Sequence, residues 1–165
     1  MKPYQRVALR YASEMVFNFN NHSRNPKGYA YLSGSLIGNI SGRIEKVKQD
    51  EIEPEFIGDT YLCYEDMYKL IDRYPKLVKG DKIYIVSIKD SKIAKSSRGK
   101  GYGIEMYLKF LEHTYSMVQA PFLFIPNYCE SVQDETSDSA LRVWKSLSRK
   151  LPSSGDVIVY DGSTR

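Results

Sequence analysis

Cysteine, histidine and tryptophan are scarce in this sequence, with two, two and one residue respectively among 165. Cys63 and Cys129 stand far apart, which argues against a disulfide framework and fits a reducing cytoplasm. Together with His22 and His113 they form no short ligand pair, so no metal site is expected. Long apolar runs are missing too. Residues 7–19 are interrupted by Arg10, Ser13, Glu14 and Asn18, too polar for a signal-peptide core or a membrane span, and a cytoplasmic protein is expected. Charge of one sign is equally lacking. The 24 basic and 20 acidic residues leave a net charge of +4, a mild leaning toward anionic ligands that suits a polyphosphate or a nucleic acid.

What is present is the composition of a globular chain, 42% hydrophobic and 27% charged, at a length that suits one domain over residues 1–165. Apolar residues Val7, Ala8, Tyr11, Met15 and Phe19 recur at helical spacing and predict an opening amphipathic helix over 4–19. Turn formers over 20–28 lead into a predicted strand pair over 29–47, where Gly34, Gly38 and Gly42 imply bends or a bulge. A polar loop over 48–55 and a short strand over 56–63 are expected next. Met67, Leu70, Ile71 and Tyr74 mark a short helix that Pro75 ends.

After a turn at Lys79, Gly80 and Asp81, the β-branched and aromatic run 83–88 predicts a buried strand. A long helical stripe follows through Ile104, Tyr107, Leu108, Leu111, Tyr115 and Val118, and then a strand over 122–125 between two prolines. Strand, helix, strand in this order implies a parallel pair. A last helix, capped within 136–139, buries Ala140, Val143, Trp144, Leu147 and Leu151, and a strand over 157–160 ends the chain.

Between the strand at 83–88 and the long helix lies SSRGKGYG. Its glycines adopt backbone conformations closed to other residues and let N–H groups crowd around an anion. The helix behind them adds unpaired N–H groups and the positive end of its dipole, and Arg98 and Lys100 add charge. The pattern predicts a diphosphate site. A Walker loop is excluded, because Gly101 rather than Ser or Thr follows Lys100, and Gly99, Gly101 and Gly103 give GxGxG instead of the dinucleotide pattern GxGxxG.

Arg98, Gly101 and Gly103 form Arg-x-x-Gly-x-Gly at a strand-to-helix junction, and from here through Ala140 and Trp144 the C-terminal half resembles the GNAT family of N-acetyltransferases. The resemblance implies an α/β fold with a mixed central sheet flanked by helices and a parallel strand pair around the coenzyme site. It implies direct transfer of an acetyl group from acetyl-CoA to an amine. The turn Arg98, Gly99, Lys100, Gly101, Tyr102 and Gly103 would hold the pyrophosphate. Either Ser87 and Ile88 or Ile93 and Ala94 would supply the backbone contacts to the pantetheine arm, and Asn127 and Lys145 would reach the coenzyme's far side. In that family a strand N–H at a bulge polarises the acyl carbonyl.

The pattern departs from the family in two places. Trp144 stands where many members carry a tyrosine acid, and its indole is no practical proton source. By position, Tyr128 or Cys129 would substitute as acid and Asp90 or Glu65 would serve as base. The family usually ends in a two-stranded hairpin, whereas a single strand is clear here, and a partner chain in a homodimer would supply the other. The acceptor amine is not identified.

Other readings weigh the same residues differently. Fourteen tyrosines beside basic residues suit nucleic-acid stacking, but Tyr4, Tyr11, Tyr74, Tyr107 and Tyr115 fall on apolar stripes and read as core or rim. The basic patch Lys92, Lys95, Arg98 and Lys100 serves a nucleic acid or coenzyme phosphates equally. His113 lies opposite most of its helix's stripe and reads as solvated. The alternative function is a noncatalytic GNAT-like module that binds a protein or nucleic acid.

Overall fold

The computed structural model describes residues 15–20, 24–48, 64–126, 138–151 and 155–160. Its centre is a mixed, open seven-stranded sheet: β1 (Val16–Asn20), β2 (Lys27–Leu32), β3 (Ser35–Lys48), β4 (Val78–Lys79), β5 (Lys82–Ile93), β6 (Phe122–Pro126) and β7 (Val157–Val159). The order is β1-β2-β3-β5-β6-β7, with β4 added beside β5. The first four strands of that order run antiparallel, whereas β6 is parallel to β5 and β7 to β6. Helices α1 (Tyr64–Arg73), α2 (Tyr102–Val118) and α3 (Asp138–Lys150) complete the described elements. Among these residues no helix is long and apolar enough to cross a membrane.

Both faces of the parallel strands are buried, as continuous apolar runs require. Phe122 and Phe124 face α2 and α3 together with Val86, Ile88 and Val157. Leu123 and Ile125 face the other way, with Ile83, Ile85 and Ile158 against Ile71 of α1. Gln119, left-handed at φ 53°, stops α2 by returning its N–H to the Tyr115 carbonyl at 2.8 Å. Pro121 then starts the chain into β6. The parallel pair expected from strand, helix, strand is therefore present.

The predicted helix over 4–19 fails where it is described, because residues 16–20 form β1. Phe17 and Phe19 alternate with Asn18 and Asn20, and this period of two governs the segment once β2 is beside it. Phe19 lies opposite Gly28, where a Cβ would sit 2.5 Å from its ring. The glycine makes room for the aromatic. Residues 4–11, the expected strand over 56–63 and most of the loop over 48–55 lie outside the described residues, as do His22, Cys63 and Cys129.

The same strand corrects the reading of His113. Its ring stacks on Phe19 at 4.2 Å and 9°, and among the described residues Nε2 is buried without a hydrogen-bond partner. Burial holds His113 below the ordinary value of 6.5. Because the fold favours the neutral ring, stability is complete above that value and declines as pH falls below it, where the unfolded chain takes up the proton first. His113→Phe is expected to flatten this acid limb of a plot of urea midpoint against pH. An equal decline in the variant would place its cause elsewhere.

Candidate functional site

Strand β6 is described as far as Pro126. Its pairing with β5 stops at Ile88 opposite Pro126, while β5 stays paired with β3 as far as Ile93 opposite Gly38. Pro126 has no N–H with which to extend a ladder. Among the described residues no strand covers the outer edge of residues 89–93, and that edge forms one wall of a cleft of about 830 Å³. The first turn of α2 closes one end, and Ala140, Val143 and Trp144 of α3 line the opposite wall.

A β-bulge shapes the strand wall. Ser41 pairs with Asp90 and Gly42 with Ile88, which leaves Lys89 as an extra residue in β5. The extra residue reverses the alternation of faces. Val86 and Ile88 point toward the helix layer before it, and Ile93 does so after it. Ser91 joins them, its Oγ 2.7 Å from the hydroxyl of Tyr107 on α2. Gly42 permits this geometry, since a Cβ there would lie 2.5 Å from the Ser87 carbonyl and 2.6 Å from the Phe110 ring.

At the other end of the cleft the chain leaves β5 through a 3₁₀ turn (Lys95–Ser97) and two left-handed glycines, Gly99 at φ 77° and Gly101 at φ 82°. Gly101 is the N-cap of α2, and no side chain caps the helix. The first helical bond runs from Glu105 N–H to the Gly101 carbonyl at 3.2 Å. The N–H groups of Tyr102, Gly103 and Ile104 thus lack intrahelical partners on residues that line the cleft. Arg98 Nε donates to the Ile93 carbonyl at 3.0 Å, which ties its guanidinium to the end of the strand. Among the lining residues four are basic, Lys89, Lys92, Arg98 and Arg142, against the single acid Asp90. At the turn Arg98 lies beside the helix N-terminus, a combination suited to an anion.

The sequence matches no protein-family model and no curated protein. What the cleft can bind is therefore read from its own residues. Of the backbone contacts expected from the sequence, Ser87 and Ile88 are paired on both sides, and the Ala94 N–H is taken by the Ile37 carbonyl at 2.6 Å. Ile93 and the open edge before it line the cleft, as do Asp90, Arg98, Gly99, Gly101, Tyr102 and Gly103. Lys100 and Lys145 are exposed outside the lining, and on α3 it is Arg142 that lines the cleft. Asn127, Tyr128 and Cys129 lie outside the described residues, and so does the side chain of Glu65.

Two residues of the cleft were not singled out by the sequence. Tyr107 is core, as its stripe predicts, yet its hydroxyl meets Ser91, and its ring stands edge-on to Trp144 at 5.6 Å and 86°. Burial is the main reason its phenol is pushed up to about 12, with the nearby Asp90 carboxylate adding to the shift, while Ser91 and Trp144 act against it. It stays protonated at any ordinary pH. Ser91 had a signal in the sequence. Ile88 and Ile93 are an odd number of residues apart, so both can face the helices only if a residue between them bulges.

Proposed function

We propose that this cleft binds acetyl-CoA and that the protein is an N-acetyltransferase of the GNAT kind, moving the acetyl group directly to an amine. One observation carries the reading: a strand edge that no described strand covers leads straight to a glycine-lined helix start without a side-chain cap. That is a ladder for the amides of a pantetheine arm joined to a site for a diphosphate.

The residues of the chain divide the work. Gly99, Gly101 and the first N–H groups of α2 hold the diphosphate, with Arg98 beside them. The edge of residues 89–93 pairs with the arm. The bulge at Lys89 interrupts the ladder beside the end of the described β5–β6 pairing, where backbone N–H groups can stabilise an oxyanion. Asp90, exposed in the cleft wall, accepts the amine proton directly or through water. When bound, acetyl-CoA supplies the thioester: the C–N bond forms, the C–S bond breaks with its electron pair passing to sulfur, and the amine proton leaves through Asp90 to solvent.

The noncatalytic alternative is favoured by one observation, the buried indole of Trp144 where the resemblance leads one to expect a tyrosine acid. Calorimetric titration with acetyl-CoA tests the main reading. The wild type is expected to bind at about micromolar strength, a common level for co-substrates, and the Arg98→Glu, Gly101→Asp double variant is expected to lose binding altogether. The variant removes a cation, adds two anions and forces a non-glycine residue into the left-handed region. A wild type that ignores acetyl-CoA would refute the reading, and binding without transfer to any screened amine would favour the noncatalytic one.

A further inference from the structure

We infer that the Ser91 hydroxyl, held by the buried phenol of Tyr107, donates to the sulfur of the coenzyme when the thiolate departs. The inference rests on the acetyl-CoA reading and assigns, within it, a source of thiolate stabilisation that does not need a tyrosine on α3.

The direction of the bond follows from its members. The Tyr107 hydroxyl is buried with Ser91 as its hydrogen-bond partner, and a phenol is a stronger acid than an aliphatic alcohol, so the phenol is the donor of the pair. The phenol proton is then placed on Ser91 Oγ, 2.7 Å away, and the serine proton is free to turn into the cleft. Each donor in such a series strengthens the next. Accessibility points the same way. Tyr107 is 2% exposed, whereas Ser91 is half-buried in the cleft wall and is the member a ligand can touch.

The bulge is what brings Ser91 to this place. Were Lys89 paired regularly, with no bulge, Asp90 would take the helix-facing position and Ser91 would point away from it. Apolar side chains of Ile88, Met106, Pro126 and Val143 share the lining with charged ones, and an anion forming there gains from one aimed donor. No proton changes hands at Ser91. The C–S bond breaks with its pair on sulfur, the serine keeps its proton, and the thiolate is protonated later by solvent.

The test uses coenzyme A itself and needs no acceptor. Ultraviolet thiolate absorbance of the bound coenzyme is followed against pH. With the wild type the bound thiol is expected to ionise below the pH at which free coenzyme A does. Ser91→Ala is expected to raise the midpoint by about one to two pH units, the size expected of a hydrogen bond to an anion, and Tyr107→Phe by less. Ser91→Thr is expected to restore the wild-type midpoint. Lys89, Lys92 and Arg142 also favour a thiolate and Asp90 opposes it, but these charges are the same in every variant. A Ser91→Ala protein that binds coenzyme A and titrates like the wild type overturns this inference alone, as does one with weaker affinity and an unmoved midpoint. A wild type that binds no coenzyme A overturns the acetyl-CoA reading and this inference with it.

Discussion

Replacing Trp144 with alanine is expected to destabilise the protein by about 3–5 kcal/mol, the usual cost of removing a large buried aromatic. Trp144 is 1% exposed and joins three elements. From α3 it meets Phe124 of β6 at 4.5 Å and Tyr107 of α2 edge-on at 5.6 Å. The vacated space adjoins the cleft, so water entering it would reach the Tyr107 hydroxyl and the wall around Ser91. Trp144 is the single tryptophan of the chain, so far-ultraviolet circular dichroism in urea, rather than fluorescence, follows unfolding in both proteins. A loss under about 1 kcal/mol, far below the range for such a truncation, would mean that α3 is not packed as described.

The second large effect is expected at Gly42. A methyl group there meets a backbone carbonyl, Ser87 O at 2.5 Å, and a fully buried ring, Phe110 at 2.6 Å. Neither can give way cheaply, because the carbonyl belongs to a strand paired on both sides and the ring to the core under α2. Gly42→Ala is expected to cost about 3 kcal/mol, at the upper end for overpacking, and to move the pairing next to the bulge. Gly34→Ala is the contrast. Nothing lies within 4 Å of its Cβ position, and only its φ of 81° opposes the change, which limits the loss to about 1 kcal/mol. Urea midpoints of the two variants compare a steric with a conformational effect in the same hairpin. Equal losses would remove the close approach of β3 to β5 as the reason for Gly42.

The parallel core was legible because its signals agree with one another. The run 83–88, the stripe of α2 and the proline-bounded run 122–125 each state a period and an end. The glycine turn was legible for the same reason: its residue types and its place before a helix carry one meaning. Phe19 was misread because Val7, Tyr11, Met15 and Phe19 satisfy a helical period, while the competing alternation in VFNFN becomes decisive only with β2 alongside. His113 was misread because the partner that buries it belongs to that same strand. The hydrogen bond between Ser91 and Tyr107 is long-range in a different sense. It depends on the phase of β5, which one extra residue sets.

The bulge gives β5 two reading frames. Up to Ile88 the even-numbered residues face the helices, and from Ser91 onward the odd-numbered ones do. Substitution at any position along this strand changes one side chain of the cleft wall. Flattening the bulge with every residue kept would exchange the whole set at once, trading Ser91 and Ile93 for Asp90 and Lys92. The chemistry of the wall is therefore governed by the phase of the pairing, and a comparison of this chain with others that counts only identities would overlook it.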